Sequence, residues 1–532
     1  MQTLQQLLFF CSQKHKDHVA FQIRQEKIWR KITFSEVIPL VEKVQSSLVK
    51  LGVGPGDRVV ILSENRPEWA ISYLAVCAMG AVAVPLDAML KREDIFVFIE
   101  DCQAKAIILS AKYVDLVKAT TFESLTLVME AFNQLEAKEI PQFNVNPADL
   151  AAIVYTSGTT GNAKGVMLSH KNIMSNVLAV GKLFPLGPGD NFLSVLPLHH
   201  TFETTCGFLG AFSLGCSITY TESLKSYVLI RNMQETGVTV MCGVPLLYQL
   251  IYDGIMREVD DKGMGKMFAV LLFISKVSKF LIGINIGKIL FAAIHKKFGG
   301  KIRFFVTGGA AIDPQLIRNF ELLGFAIVQG YGLTESSPIL TCCTLKKNKI
   351  GSVGRAIQDV KIKIAGSEPV GEILASGPNI MQGYYKRLDL SNEVLKHGWL
   401  YTGDVGYLDE EGYLFITGRN KDVIVTGAGV NVYPEELEPL LGRCPEIKEA
   451  CIIGTKQNAL GRRGNEQVAA IIVAKSADLE NSIRLFIEGL NKTLPEYKRI
   501  AKVVFRQEEL PKTRLLKVKK YLLRKEIEVN EQ

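Results

Sequence analysis

Short apolar runs that alternate with helical segments limit the fold of this chain more than any other feature of its sequence. Residues 59–62 form one such run, a helical pattern begins at Pro67 and continues to Met79, and residues 81–85 form the next run. Short uninterrupted apolar runs are typical of strands buried on both faces, as in parallel sheets covered by helices. The pattern therefore predicts a βαβ unit in this part of the chain.

The same alternation continues along much of the chain and then changes. Further apolar runs of this kind occupy residues 106–109, 150–155, 192–196, 238–242, 302–306 and 325–328. After residue 350 the segments become shorter, with apolar and polar residues alternating between glycine-rich turns, which predicts a small antiparallel β region. Residues 421–532 carry strand and helix signals of their own and are numerous enough for a separate domain.

These patterns together predict an α/β fold with two domains. We expect residues 1–420 to form a large N-terminal domain of helix-covered, mainly parallel sheets with a small antiparallel β region. We expect residues 421–532 to form a small α+β domain.

Charge, cysteine content and hydropathy exclude several classes of protein. The 62 Lys and Arg residues against 54 Asp and Glu residues leave a net charge of only +8 on 532 residues, which disfavours a nucleic-acid partner. Ten cysteines without a C-x-x-C pair indicate neither a zinc cage nor a disulfide framework, and they fit a reducing cytosol. No run reaches the roughly 18 apolar residues of a membrane-spanning helix, and residues 7–11 are too short an apolar run for a signal peptide. We therefore expect a cytoplasmic protein whose only membrane contact would be peripheral, on the inner face of the membrane.

One segment could make such a contact. Residues 262–301 contain eight lysines and no acidic residue, and the lysines are interleaved with apolar and aromatic residues. This pattern is compatible with an amphipathic helix on a membrane surface. The alternative is a helix whose apolar face belongs to the core or lines a pocket while its lysines are solvated, and the pattern favours this interpretation because apolar helical stripes usually belong to the core.

A glycine- and hydroxyl-rich loop follows the predicted strand at residues 150–155. Residues 156–165 contain three glycines, which let the backbone approach a ligand closely, four hydroxyl side chains and one lysine, Lys164. Such a loop can wrap a polyphosphate, although its spacing does not match a Walker loop. A plain Gly/Ser/Thr turn is the alternative.

The glycine-rich loop is one of several motifs that follow one another along the chain in the order of a known family. The loop and the residues that follow it resemble the phosphate loop of the adenylate-forming enzymes, the superfamily of acyl-CoA synthetases, peptide-synthetase adenylation domains and firefly-type luciferases. Other segments resemble further motifs of the same superfamily in the same order: residues 196–200 (LPLHH), 330–335 (GYGLTE), 399–404 (WLYTGD), 418–436 and 511–517. The resemblance covers nearly the whole chain and is greatest to the long-chain fatty acyl-CoA synthetases. It implies that the small antiparallel region of the N-terminal domain is β-barrel-like and that the C-terminal domain, residues 421–532, is mobile.

The resemblance implies an ATP and AMP site whose residues match family motifs. Tyr331 would lie against the purine, Thr334 would donate to the α-phosphate and Glu335 would hold Mg²⁺. Asp404 would accept the ribose hydroxyls, and Arg419 would reach the ribose or the phosphates. The complete set implied for ATP or AMP is Thr156, Ser157, Gly158, Thr159, Thr160, Gly161, Lys164, Gly309, Ala310, Gly330, Tyr331, Gly332, Thr334, Asp404 and Arg419.

Outside the nucleotide site, the resemblance assigns four further roles. His200 would stand at the carboxylate end of the acyl pocket, and Lys517 would stabilise charge as the acid attacks ATP. Lys421 would be the hinge between the domains, and Gly429 would line the tunnel for the thiol. Thr334, Glu335, His200 and Lys517 are therefore the expected catalytic residues. Read without the family, Glu335 and Asp404 could also be ordinary turn residues and His200 a structural hydrogen-bond donor.

The expected reaction is ATP-dependent activation of a long-chain fatty acid to acyl-AMP, with release of pyrophosphate, followed by transfer to coenzyme A. ATP, Mg²⁺ and coenzyme A are therefore the expected cofactors and co-substrates. An acyl carrier protein could be the acceptor instead. A catalytically silent protein of the same fold, binding nucleotide or membrane without turnover, is the third interpretation. It rests on Leu516 in place of the family's glycine and on Ala163 in place of its usual proline.

Overall fold

A computed structural model describes residues 1–156, 164–426, 431–456, 466–512 and 518–530. The chain divides into two units. The first comprises Met1–Lys361 and Ala375–Leu400, and the second comprises Ile362–Leu374 and Tyr401–Gln532.

The strands are numbered in chain order over the described ranges. They are β1 (Val19–Gln25), β2 (Ile28–Thr33), β3 (Arg58–Leu62), β4 (Val82–Leu86), β5 (Ala106–Leu109), β6 (Thr126–Val128), β7 (Leu150–Thr156), β8 (Lys164–Ser169), β9 (Asn191–Ser194), β10 (Ser217–Tyr220), β11 (Val240–Gly243), β12 (Phe304–Thr307), β13 (Ile327–Gly332), β14 (Ile339–Cys342), β15 (Arg355–Ala356), β16 (Lys361–Ile364), β17 (Gly371–Ser376), β18 (Gly383–Tyr384), β19 (Leu395–Lys396), β20 (Trp399–Leu408), β21 (Leu414–Arg419), β22 (Ile424–Val425), β23 (Asn431–Val432), β24 (Ile447–Lys456), β25 (Glu466–Ala474) and β26 (Lys502–Phe505).

The α-helices are numbered in the same way. They are α1 (Leu4–Lys14), α2 (Phe34–Lys50), α3 (Pro67–Ala78), α4 (Arg92–Asp101), α5 (Val114–Val117), α6 (His170–Leu183), α7 (Ala211–Ser213), α8 (Ser226–Thr236), α9 (Pro245–Asp261), α10 (Gly265–Ile282), α11 (Gly287–Leu290), α12 (Ala292–Lys297), α13 (Pro314–Leu322), α14 (Leu388–Val394), α15 (Pro434–Leu441), α16 (Glu480–Thr493) and α17 (Lys520–Asn530). A π-helical segment, Glu203–Gly210, precedes α7.

A seven-stranded sheet in the first unit contains the predicted βαβ unit. Its order is β18-β8-β7-β4-β3-β5-β6, and the five strands from β7 to β6 are parallel. All five residues of β4 are buried, and α3 is buried along its whole length because it packs between layers of the unit. The apolar runs at residues 59–62 and 81–85 therefore became strands covered on both faces, as predicted.

A nine-stranded sheet forms the rest of the first unit's framework. Its order is β15-β14-β13-β12-β11-β9-β10-β1-β2, and six neighbouring strands from β13 to β1 run parallel. The predicted strands at residues 192–196, 238–242, 302–306 and 325–328 correspond to β9, β11, β12 and β13, with starts displaced by one or two residues and ends displaced by one to four. The carboxyl ends of these parallel strands lie at one edge of the sheet, where α/β proteins place their sites.

The second unit has smaller sheets. A five-stranded sheet in the order β16-β17-β20-β19, with β21 added beside β20, corresponds to the predicted antiparallel region. A three-stranded sheet, β24-β25-β26, follows. Alternate residues of β24 and β25 face two separate apolar clusters, one built with α15 and α16 and the other with α17. The predicted fold class, a large α/β domain with mostly parallel sheets and a smaller α+β domain, is confirmed.

Two further findings concern the cysteines and the helices. All ten cysteines are buried and unbridged, and burial raises the pKa of thiols such as Cys11 and Cys102 to about 12. No helix in the described ranges is both long and apolar enough to cross a membrane.

Candidate active site

Two glycine-containing loops leave the nine-stranded sheet side by side. β12 and β13 are paired in parallel with Thr307 opposite Gln329, so the segment with Gly309 and Ala310 and the segment beginning at Gly330 start at the same sheet edge. Gly309 has a φ of +80°, which glycine adopts without strain. At Gly332 a Cβ would stand 1.7 Å from the carbonyl oxygen of Pro338, so this position requires glycine for steric reasons.

A short 3₁₀ turn, Thr334–Ser336, presents the predicted Thr334 and Glu335. Two buried asparagines fix its carboxyl end, because Asn176 and Asn379 both donate from Nδ2 to the Ser336 carbonyl oxygen, at 3.1 and 3.0 Å. The backbone N–H of Met381 also donates to the Glu335 carbonyl oxygen at 2.9 Å. The turn is therefore held from two other parts of the unit, and the backbone of Glu335 has a defined position.

A tyrosine connects the side chains of Glu335 and Lys164. The hydroxyl of Tyr384 donates to Glu335 Oε1 at 2.8 Å, and Lys164 Nζ lies 4.9 Å from the centroid of the same ring. Burial and the neighbouring carboxylate raise the pKa of Tyr384 far above its ordinary value, so the hydroxyl keeps its proton and donates. One tyrosine thus positions a cation over its face and a carboxylate at its hydroxyl.

The glycine-rich loop itself is framed by two described strands. β7 and β8 pair antiparallel, with Thr156 opposite Lys164, and the Thr156 hydroxyl donates to the Lys164 carbonyl oxygen at 3.5 Å. Five of the predicted phosphate-binding residues lie outside the described residues: Ser157, Gly158, Thr159, Thr160 and Gly161. The structure therefore places the two ends of the predicted loop and its lysine.

The predicted acyl-pocket histidine follows β9. The rings of His199 and His200 stand 4.2 Å apart between centroids, and burial lowers the pKa of His199 far below its ordinary value. Asn65 fixes the backbone of this segment, because its Nδ2 donates to the Leu196 carbonyl oxygen at 2.6 Å and its Oδ1 accepts from the Leu198 N–H at 3.0 Å. The histidine pair therefore has a fixed place after the strand.

A buried carboxyl group lies three residues beyond His200. Glu203 opens the π-helical segment and is fully buried. It packs so closely on Gly207 that a Cβ there would stand 2.7 Å from the carboxyl carbon. Burial raises the pKa of Glu203 to about 8, so the group is mostly protonated at neutral pH.

The second unit carries the predicted ribose-side residues. Asp404 on β20 faces Arg419 on β21 in the antiparallel register, and Arg419 Nε lies 2.9 Å from Asp404 Oδ1. Asp404 is buried, whereas the guanidinium group of Arg419 is partly exposed. Gly403, with a φ of +73°, precedes Asp404 within β20, and its N–H donates to Glu372 Oε1 at 2.9 Å.

The predicted mobile-domain residues are less completely described. Lys421 is exposed, and its carbonyl oxygen accepts from Arg524 Nη1 at 3.1 Å. Gly429 lies outside the described residues, between the paired strands β22 and β23. Lys517 also lies outside them, and the flanking residues Lys512 and Val518 form an antiparallel bridge.

Sequence reasoning missed three contributors to this arrangement. Tyr384, Glu203 and Asn379 all act through contacts with residues that are distant in the sequence or through burial. The only available signal was position: Tyr384 lies in a short Gly-Tyr-Tyr segment, and Glu203 stands close to the LPLHH motif.

Fold and site together define a class of protein: a large α/β domain whose parallel strands end in glycine-containing loops, followed by a smaller α+β domain. Comparison with known proteins agrees. The sequence profile of the AMP-binding enzyme family matches residues 9–385, and the profile of the AMP-binding enzyme C-terminal domain matches residues 436–517. This chain belongs to the AMP-binding enzyme family, as its motifs predicted.

Similar proteins act on different acids. The long-chain-fatty-acid–CoA ligase FadD15 of Mycobacterium bovis is 28% identical over 494 residues, which cover 86% of this chain and 80% of that protein. The 2-succinylbenzoate–CoA ligase of Bacillus cereus is 31% identical over 525 residues, which cover 96% of this chain and 95% of that protein. The ATP-bound crystal structure of MatB from Rhodopseudomonas palustris has a TM-score of 0.80 and 26% identity, with 98% of each chain covered.

Proposed function

We propose that this protein is an AMP-forming acid–thiol ligase that activates a long-chain fatty acid and transfers it to coenzyme A. The observation that carries the proposal is the arrangement of Lys164, Tyr384 and Glu335. A cation and a carboxylate held on one tyrosine beside a glycine-rich loop suit a metal-bound polyphosphate better than an ordinary turn.

In the first half-reaction the fatty acid carboxylate attacks the α-phosphorus of ATP and pyrophosphate leaves. Lys164 would orient the phosphates, and Thr334 would donate to the α-phosphate. Lys517 would stand where negative charge develops, and His200 would stand at the acid end of the acyl pocket. The chain needs no nucleophilic side chain, since positioning and charge stabilisation supply the acceleration.

The remaining predicted residues complete the nucleotide site. Hydrogen-bond donors or space for the phosphates and the purine would come from Thr156, Gly309, Ala310, Gly330 and Gly332. Tyr331 would lie against the base, while Asp404 and Arg419 would bind the ribose side. We also propose that the polyphosphate is wrapped by Ser157, Gly158, Thr159, Thr160 and Gly161.

The residues present fit Mg²⁺ brought with ATP. Mg²⁺ is commonly bound by one or two carboxylates together with substrate phosphates, and Glu335 offers such a carboxylate on a fixed turn. Within the described ranges no cluster of three or more His, Cys, Asp or Glu side chains could hold a metal. Glu335 would therefore hold the ion jointly with the phosphates, and the ion would supply charge neutralisation there.

In the second half-reaction the thiol of coenzyme A attacks the acyl-AMP carbonyl carbon and AMP leaves. Gly429 would let the pantetheine arm pass close to the backbone, and Lys421 would be the residue at which residues 421–532 change their conformation between the half-reactions. The acyl carrier protein is the alternative acceptor.

One similarity supports a long alkyl substrate: FadD15 is named for long-chain fatty acids. The buried segment after His200 is closely packed at its glycines, since a Cβ at Gly207 would stand 2.7 Å from the Glu203 carboxyl carbon and one at Gly210 would stand 3.0 Å from the Thr205 carbonyl oxygen. The similarity to 2-succinylbenzoate–CoA ligase makes an aromatic acid the principal competitor.

The test is pyrophosphate release with Mg·ATP across acids from acetate to oleate, with 2-succinylbenzoate included. Each acid is run without acceptor, with coenzyme A and with acyl carrier protein. We expect release to peak with long-chain acids and to turn over repeatedly only with coenzyme A. A peak with the aromatic acid, or turnover only with the carrier protein, would contradict the corresponding part of the proposal. Release with none of the acids would favour the catalytically silent interpretation.

A further inference from the structure

Helix α10 exposes an apolar face to solvent along its whole length. Phe273, Phe280 and Leu281 are 66%, 86% and 71% exposed, which is unusual for large apolar side chains on a regular helix. Three further apolar residues of α10 are also exposed, Met267, Val270 and Ile274, as are Ile284 and Ile289 beyond its end. The segment at residues 262–301 therefore presents much of its apolar surface outward, against the interpretation that places it in the core.

The helix is nevertheless firmly attached to the first unit. Phe268 is buried and its ring packs 5.2 Å from that of Phe291. Ser275 is buried, and its hydroxyl donates to the Leu322 carbonyl oxygen at 2.7 Å. Lys279 forms an ion pair of 2.5 Å with Glu321. One side of α10 is thus held by the unit, and the outward apolar face is a constant feature of the folded protein.

Positive charge surrounds this face. No acidic residue interrupts the eight lysines of residues 262–301 in the sequence. In the structure Lys262 and Lys297 pair with Glu258 and Lys279 pairs with Glu321, whereas Lys266, Lys276 and Lys288 are exposed on or near α10. A helix with aromatic and aliphatic residues on one face and lysines around it has the composition of helices that lie in the headgroup region of a bilayer. Lysines close to such a surface attract anionic lipids.

We propose that residues 264–289 bind the surface of a membrane that contains anionic lipid. The apolar side chains would enter the headgroup and acyl boundary, and the lysines would contact lipid phosphates. A second copy of this chain fits the same face less well, because a two-fold contact would bring two lysine-rich segments together. The inference is independent of the proposed reaction, since it requires only the surface of the folded first unit.

The test is flotation of the full-length protein with vesicles of phosphatidylcholine alone and with vesicles that contain 30% phosphatidylglycerol, at low salt. We expect binding to the anionic vesicles and much weaker binding to the neutral ones. Raising the salt to 0.5 M should release most of the protein, because the electrostatic contribution is screened.

The key variant is the double substitution Phe273→Glu and Phe280→Glu. Both side chains point into solvent, so thermal stability should stay unchanged while anionic-vesicle affinity falls by about tenfold or more. The matched control is Ile28→Glu, which introduces the same kind of change at a residue that is 73% exposed on β2. A triple variant should bind anionic vesicles with lower affinity and with a weaker dependence on salt. It combines Lys266→Gln, Lys276→Gln and Lys288→Gln.

Two results would overturn the proposal. One is the absence of binding to anionic vesicles at low salt. The other is equal loss of binding in Ile28→Glu and in the double variant, since binding would then not depend on this face. A dimer that dissociates in the double variant, without vesicle binding by the original protein, would assign the face to a second copy instead.

Discussion

Tyr384 acts on two charged residues at once, and each contact uses a different part of its side chain. The hydroxyl binds the Glu335 carboxylate, whereas the ring face lies beneath Lys164. A tyrosine at this position is therefore a positioning residue, and its two contacts can be separated by substitution.

Tyr384→Phe should weaken Mg·ATP binding through Glu335 while keeping the contact with Lys164. Losing one hydrogen bond to a charged group costs about 1.5–3 kcal/mol, so the Mg²⁺ concentration for half-maximal pyrophosphate release should rise about tenfold or more. Calorimetric titration of the variant with Mg²⁺ and a non-hydrolysable ATP analogue provides a readout that does not depend on turnover.

Tyr385→Phe is the matched control, because the Tyr385 ring lies 5.0 Å from Lys386 Nζ and packs against an apolar cluster that includes Ile153. Its Mg²⁺ dependence should equal that of the original protein. An unchanged Mg²⁺ dependence in Tyr384→Phe would remove Tyr384 from the positioning of Glu335.

Glu203 should make the stability of the protein depend on pH. Its pKa is raised from 4.5 to about 8 by burial, so this group's contribution to stability is fully present below pH 4.5 and is lost as the pH rises to about 8. Glu203→Gln should remove that dependence, which amounts to at most about 1.4 kcal/mol per pH unit. Urea unfolding at pH 5, 6.5 and 8 measures it, with exposed Glu508→Gln as the control. If the free energy of unfolding changed with pH in the same way in the original protein and in Glu203→Gln, Glu203 would not be the source of the pH dependence.

At the scale of elements, the strand ends and the turns after them depend on backbone geometry that few residues can adopt. β13 ends at Gly332, where the chain passes the Pro338 carbonyl oxygen too closely for any side chain. The following turn is anchored by Asn176 and Asn379, which come from distant parts of the sequence. The position of Thr334 and Glu335 therefore depends on this packing as well as on their own segment.

Gly332→Ala should displace the turn. A Cβ at 1.7 Å from a carbonyl oxygen forces the backbone to move, with a cost in the free energy of unfolding of about 1–3 kcal/mol or more. Gly187→Ala is the control, because a Cβ at Gly187 meets no atom within 4 Å. In Gly332→Ala, but not in Gly187→Ala, the thermal unfolding temperature should fall and the affinity for an ATP analogue should decrease. Normal nucleotide affinity in this variant would show that nucleotide binding does not depend on the position of this turn.

The strands of the large sheets were the easiest elements to predict. Runs such as residues 59–62 and 106–109 are buried on both faces, so their composition reports their environment directly. The surroundings of α10 could not be read in this way. Its pattern of apolar residues and lysines is the same whether the apolar face meets the core or solvent, and only the packing of Phe268 and Ser275 shows which side is held.

At the scale of the whole molecule, the two proposed half-reactions place different demands on residues 421–532. Lys421→Pro should spare pyrophosphate release in a single turnover and suppress thioester formation, because proline fixes φ at the proposed hinge. Lys421→Ala keeps the backbone freedom and should form thioester normally. Stopped-time assays of acyl-AMP and acyl-CoA separate the steps. Normal acyl-CoA formation by Lys421→Pro would place the hinge elsewhere.

The sequence by itself determined the fold class, the order of the motifs and the family, because each depends on local patterns: buried runs, glycine turns and short spellings such as GYGLTE. Only the tertiary structure joined Tyr384 to Lys164 and Glu335, buried Glu203 and turned the apolar face of α10 outward. The physical reason is distance along the chain. Hydrogen bonds, burial and exposure arise between segments that a linear pattern does not relate, and they exist only once the chain has packed.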